Sequence, residues 1–217
     1  IMTKIKICGI KTPDILKTCA GSGADFVGFV FYPPSPRYID VDTAKELALQ
    51  LPTGLRGVGL FVDPGDEELE HVLGHVPIDM IQLHGKETPQ RVAEIKAKYH
   101  MPTIKAFPVR EEADIEKVHQ YEPYVDWLLF DAKPPNSDLP GGTGQSFDWN
   151  LLKGKSFDTP WMLSGGLTPE NVVEALSVLS PSAVDVSSGV ESTRGVKDVE
   201  KVKYFIKTVK NHTDTTK

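Results

Sequence analysis

Cysteine is scarce in this chain. Cys8 and Cys19 are its only two, ten residues lie between them, and no CxxC pair occurs. Two cysteines make no disulfide framework, suit a reducing compartment and offer no thiol-redox motif. Long apolar runs are missing, which argues against a membrane span, and no secretory leader is expected ahead of Lys4. The expected location is the cytoplasm. Positive charge is in deficit: 24 Lys and Arg face 30 Asp and Glu, a formal net charge of −6. That balance argues against nucleic acid or an anionic membrane as partner, although a locally positive site for a small anion remains open. His, Cys and carboxylate clusters at metal-ligand spacing are absent, so no metal site is expected. No Pro/Ser-rich linker divides the chain, which reads as one domain over 1–210 with a polar tail at 211–217 expected to fray.

What is present is a recurring alternation. Short apolar runs appear at KIKIC (4–8), FVGFVF (26–31), RGVGLFV (56–62), IDMIQLH (78–84), PTIKAF (102–107), VDWLLFD (125–131), PWMLS (160–164) and AVDVS (183–187), with starts 22 to 35 residues apart. Several are nearly continuous in apolar residues, as strands buried on both faces should be. Segments with helical spacing lie between them at 42–51, 67–73, 89–99, 111–121 and 169–179. Thr-Pro pairs open three helices, at Thr12-Pro13, Thr88-Pro89 and Thr168-Pro169, and Asp42 is the expected cap of another. Eight such units predict an α/β protein, a single-domain (β/α)8 TIM barrel. The rival, an open doubly wound sheet, needs fewer strands and usually carries a Gly-rich loop after the first one. Here the Gly-rich loops come late.

Chemistry in a parallel barrel gathers where strands end. Cys8 falls at such an end, where it either faces a cleft or packs as a small hydrophobe. Asp131 closes the apolar stretch before it and suits a general acid; its alternative roles are an N-cap or a partner for Lys133. Gln82 and His84 end the fourth strand two residues apart, hence on one face. Asp185, flanked by Val184 and Val186, is either a satisfied structural carboxylate or part of the site. Arg37, in the proline-stiffened loop YPPSPRYI, suits bidentate binding of a carboxylate or is a solvated charge. The loops after strands seven and eight, Ser164-Gly165-Gly166 and Ser187-Ser188-Gly189, suit phosphate. Glycine lets backbone N–H groups approach, and the serine hydroxyls add donors. Cys19 is expected to pack.

The blocks KICGI (6–10), DFVGFVFYPPSPRYI (25–39), GLFVD (59–63), IQLHG (81–85), LLFDAK (128–133), GGTGQSFDW (141–149), LSGGLTPENV (163–172) and VDVSSGVE (184–191) resemble the phosphoribosylanthranilate isomerase family, the (β/α)8 enzymes of tryptophan biosynthesis. The resemblance runs from about Lys4 to Val209. It implies an Amadori rearrangement of N-(5-phosphoribosyl)anthranilate, with a Cys base at Cys8 and an Asp acid at Asp131. It implies that Arg37 binds the anthranilate carboxylate and that Gln82, His84 and Asp185 line the substrate site. The phosphate loops fall on Gly142, Thr143 and Gly144, on Ser164, Gly165 and Gly166, and on Ser187, Ser188 and Gly189. It implies a phosphorylated small-molecule substrate, no metal or redox cofactor, and a monomer or homodimer. Lys11 departs from the family's frequent Thr after CGI.

Two neighbouring enzymes fit less well. The histidine-pathway isomerase places Asp where Cys8 stands, and a phosphopentose epimerase needs metal-binding histidines. A non-catalytic phosphate-binding barrel would require Cys8 and Asp131 both to be structural.

Overall fold

The computed structural model describes residues 2–132 and 148–215. In chain order the elements are β1 (Lys4–Cys8), α1 (Pro13–Ser22), β2 (Phe26–Val30), α2 (Val41–Ala48), β3 (Arg56–Phe61), α3 (Asp66–His75), β4 (Met80–Leu83) and α4 (Pro89–Tyr99). They continue as β5 (Thr103–Val109), α5 (Glu112–Glu116), β6 (Trp127–Ala132), β7 (Trp161–Ser164), α6 (Val172–Val178) and β8 (Ala183–Val186). A short hairpin, β9 (Glu191–Thr193) and β10 (Val196–Lys197), precedes α7 (Val199–Thr215).

Strands β1 to β8 close into one barrel in sequence order, all parallel, with β1 pairing to both β2 and β8. Alternation along each strand sorts side chains to two sides. On β1, Ile5 and Ile7 join the outer core under the helices. Phe26, Val58, Met80, Ile104, Leu129, Met162 and Ala183 fill a separate apolar plug inside the barrel. Above that plug the inward positions are mixed: Lys6, Gln82, Ser164 and Asp185 are buried polar residues, and Cys8, Val30 and Leu60 form a small apolar cluster. The N-terminal ends carry their own fastening. Asp25, Asp79 and Asp126 stand just before β2, β4 and β6 and accept the backbone N–H of Ile5, Gly57 and Thr103 at 2.8–2.9 Å. Each carboxylate ties an even strand to the odd strand before it, satisfying a donor at the barrel's base.

Helix punctuation follows the local chemistry. The Thr12 and Thr88 side chains accept from Ile15 and Arg91 N–H at the first turns of α1 and α4, with Pro at the first helical position of each. The α2 cap is Asp40, two residues earlier than expected. Its carboxylate accepts from the Thr43 N–H and hydroxyl, leaving Asp42 inside the first turn. Thr168 and Asn171 bond reciprocally, so the regular α6 begins later than its Thr-Pro signal. The expected fifth helix is divided between α5 and 3-10 turns at Lys117–Gln120 and Glu122–Tyr124. Among the described residues, only a 3-10 turn at Trp149–Leu151 links β6 to β7. α7 runs to Thr215, with the Thr213 hydroxyl donating to the Val209 carbonyl.

Candidate functional site

The C-terminal rim of the barrel brings most of the expected site residues together. Cys8 ends β1, buried opposite Gly28 of β2 in the strand register. A Cβ at position 28 would stand 2.7 Å from the Cys8 sulfur, so the glycine in FVGFV is the space the thiol occupies. Gly9 follows at φ +91°, turning the chain out of the strand.

Below Cys8, two residues back on the same face of β1, Lys6 is completely buried. Its ammonium meets the Asp185 carboxylate at 2.9 Å, and the Ser164 hydroxyl donates to the other oxygen of Asp185 at 2.8 Å. Asp185 is thus held at the barrel centre by two side chains. Ser164, expected at the phosphate loop, donates its hydroxyl to Asp185 in this structure.

Arg37 reaches in from the loop after β2 and places Nε and Nη2 on the two oxygens of Glu191, at 2.8 and 2.7 Å. The fork expected to grip a substrate carboxylate is therefore half taken by a protein carboxylate. Nη1 keeps its own donors, because a guanidinium carries five N–H groups. Lys197 of β10 meets the same carboxylate at 2.7 Å, and the Gly195 N–H donates to it as well. Burial alone would push the Glu191 carboxyl up, but the Arg37 fork and the Lys197 ammonium outweigh it and hold it at about 2. Lys197 also donates to the carbonyl and hydroxyl oxygens of Ser187. Neither Glu191 nor Lys197 was singled out from the sequence. Glu191 lay at the end of the VDVSSGVE block, and Lys197 carried no local signal.

Burial pushes the Cys8 thiol up, Lys6 pulls it down, the Asp185 charge opposes that, and Lys197 pulls down again; the balance remains above the ordinary thiol value. Cys19 packs fully buried in the outer core, and burial drives its thiol up to about 12.

Across the mouth lies a different group. Gln82 Nε2 lies 3.0 Å from His84 Nδ1, and His84 Nε2 lies 3.2 Å from Asp131 Oδ2. The amide nitrogen can only donate, which makes Nδ1 the acceptor and Nε2–H the donor to Asp131. Gln82 Oε1 is buried with no hydrogen-bond partner among the described residues. Asp131 meets His84; Lys133, its alternative partner, lies outside the described residues.

The glycine-rich end forms a cavity of about 280 Å³ lined by Gly166, Leu167, Thr168, Pro169, Glu170, Ser188, Gly189 and Lys201. Gly165 and Gly166 both have positive φ, +93° and +65°. A Cβ on Gly189 would fall 1.8 Å from the Leu167 carbonyl, so the two loops touch backbone to backbone. Gly142, Thr143 and Gly144 lie outside the described residues. No group of three or more metal-ligating side chains occurs among the described residues, and no helix there is long and apolar enough to cross a membrane.

Comparison with known proteins bears on this constellation. Residues 5–208 match the family model described as N-(5'phosphoribosyl)anthranilate (PRA) isomerase. The chain is 52% identical over 203 residues to the N-(5'-phosphoribosyl)anthranilate isomerase of Paracoccus denitrificans (strain Pd 1222), covering 93% of this chain and 94% of that one. The crystal structure of phosphoribosyl anthranilate isomerase from Thermotoga maritima superimposes with a TM-score of 0.88 at 38% identity, over 97% of this chain and 100% of that one. A second phosphoribosyl anthranilate isomerase structure, in complex with reduced 1-(o-carboxyphenylamino)-1-deoxyribulose 5-phosphate, gives 0.83 at 38% identity over the same shares.

Proposed function

Because the chain belongs to the N-(5'-phosphoribosyl)anthranilate isomerase family, isomerases of tryptophan biosynthesis, we propose that it runs the Amadori rearrangement with Cys8 as base and Asp131 as acid. The substrate is N-(5-phosphoribosyl)anthranilate and the product is 1-(2-carboxyphenylamino)-1-deoxyribulose 5-phosphate. The observation that carries the assignment is the meeting of four features on one rim: a buried thiol ending β1, a carboxyl on β6, an Arg37 guanidinium, and paired glycine loops after β7 and β8.

The steps balance as follows. Protonated Asp131 gives its proton to the furanose ring oxygen while the C1'–O4' bond breaks, and the anthranilate nitrogen lone pair forms the C1'=N bond. The Cys8 thiolate then removes the C2' proton. The electrons of that C–H bond become the C1'=C2' bond, and the C=N electrons return to nitrogen. Loss of the 2'-hydroxyl proton and protonation at C1' convert the enolamine to the ketone. Acid and base must reach the sugar from different sides, and β1 and β6 stand three strands apart around the closed ring. His84 steadies the Asp131 carboxyl, and Gln82 fixes the His84 ring from behind.

The ends of the substrate are gripped by charge and by backbone. The Nη1 side of Arg37 takes the anthranilate carboxylate while Glu191 fixes the guanidinium plane. The phosphate goes to the N–H groups of 165–166 and 188–189, aided by Gly142, Thr143 and Gly144. Measuring loss of the substrate's anthranilate fluorescence on adding the protein tests the reaction. No turnover by the folded chain would overturn it. A Gly166→Val variant with unchanged affinity for a phosphate analogue would remove the phosphate assignment.

A further inference from the structure

The β9–β10 hairpin is an excursion between the last barrel strand and the last helix, and its final residue is spent inward. Lys197 is 3% exposed along its side chain although it sits on a two-residue strand at the rim. Its Nζ stands where a Cβ on Gly9 would come within 3.2 Å, against the peptide that follows Cys8. It donates to three acceptors, the Ser187 carbonyl, the Ser187 hydroxyl and Glu191 Oε2 at 3.1, 3.2 and 2.7 Å, which accounts for the three protons of an ammonium.

The charged groups around Cys8 come from four elements: Lys6, two residues back on β1, Asp185 of β8 paired with it, and Arg37 from the loop after β2 and Lys197 of β10, both packed against Gly9, the next residue. Lys6 and Asp185 cancel each other across 2.9 Å. Arg37 and Lys197 share the single carboxylate of Glu191. One positive charge is therefore left in excess beside the thiol.

We propose that Lys197 is a positioning residue for the base: its ammonium lets Cys8 ionise in a buried site, and its bonds to Ser187 couple that ionisation to the loop at the phosphate end. The inference rests on Cys8 being the base, but it concerns the thiol itself and can be read without turnover. Lys197 can be removed without orphaning its partner. In Lys197→Met, Glu191 Oε2 keeps the Arg37 Nε bond, and Oε1 keeps Arg37 Nη2 and the Gly195 N–H.

The test follows iodoacetamide alkylation of Cys8 against pH in the full chain, with the Cys8 and Cys19 peptides separated by mass spectrometry. An opposite charge within a few ångströms typically moves an ionisation by about one unit or more. The alkylation midpoint should therefore rise by about one pH unit in Lys197→Met, with a roughly tenfold slower reaction at neutral pH. It should stay near wild type in Lys197→Arg, which keeps the charge. Turnover in Lys197→Met should fall at neutral pH and recover toward alkaline pH, where a purely structural defect would persist. If Lys197→Met does not fold, Glu191→Gln reads the same field with opposite sign, and its midpoint should move down. An unmoved midpoint in folded Lys197→Met, or an upward one in Glu191→Gln, overturns the inference. A Cys8→Ala variant with normal turnover would instead overturn the base assignment while leaving the midpoint shift standing.

Discussion

Around Cys8, five charged side chains crowd into the rim: Lys6, Asp185, Arg37, Glu191 and Lys197. At Asp131 an imidazole meets the carboxylate, with an amide behind the imidazole. The contrast matches the two tasks proposed for them. A base that works as an anion in a buried place needs cations nearby, and those cations need carboxylates, or the site would carry uncompensated buried charge. The acid must be held within reach of the ring oxygen, and a Gln–His chain supplies hydrogen bonds that orient it.

The comparison breaks most visibly at the two reacting groups. Cys8→Ala and Asp131→Asn should each lower kcat by about 10²–10⁴-fold, the usual range for one acid–base partner. Affinity for a product analogue should change little, because Arg37 and the glycine loops hold the ends of the molecule. Near wild-type kcat in either variant would dissolve the acid–base pairing.

The charged side should also show in acid stability. The folded Glu191 value of about 2 lies below its ordinary 4.5, so its carboxylate contributes stability that is complete above about pH 4.5 and drains away as pH falls toward 2. By linkage this amounts to roughly 3 kcal/mol. Thermal melts from pH 7 down to pH 2.5 should fall more steeply in the wild type than in Glu191→Gln. Superimposable acid branches would mean that the pairs with Arg37 and Lys197 do not stabilise the fold.

Arg37 sharpens the comparison, because it serves Glu191 and is proposed to serve the substrate. Arg37→Ala should raise KM by an amount worth about 1.5–3 kcal/mol, the cost of a lost charge-assisted pair. Lys at 37 should restore part of it, lacking the planar fork. A wild-type KM in Arg37→Ala would take the substrate carboxylate away from this residue.

The smallest effect is steric and confined to the thiol's side. Gly28→Ala puts a methyl into the space of the Cys8 sulfur, and overpacking of this kind costs about 1–3 kcal/mol. Cys8 alkylation and turnover should change together while the Gln82–His84–Asp131 side is untouched. A variant with unaltered melting temperature and unaltered Cys8 reactivity would show that the strand can give way without cost.

Much of this molecule is legible in short stretches of chain. The eight strands stand where apolar runs stop and start, because a strand buried on both faces must be apolar over its whole length. Thr12-Pro13 and Thr88-Pro89 cap the helices they open, since cap and first turn are neighbours in sequence. Asp42 misled because Asp40 lies just as close, and a cap is chosen by backbone geometry at a single residue. Residues at strand ends could be marked as site candidates because a parallel barrel delivers all its strand ends to one face.

The partners of those residues were not legible. Lys6 and Asp185 are 179 residues apart, Arg37 and Glu191 are 154 apart, and each pair meets only when the barrel closes. The Ser164 hydroxyl reaches Asp185, 21 residues on, only because the closed ring sets β7 beside β8. Lys197 read as nothing, since no spacing rule reaches across a hairpin to a thiol at the other end of the chain. By itself the sequence determined the alternation of strand and helix, most of the capping and the set of side chains that reach the rim, for these depend on backbone preferences over a few residues. Which charge faces which was decided by the tertiary structure alone, because electrostatic pairing depends on distance in space, and closure of the barrel sets that distance.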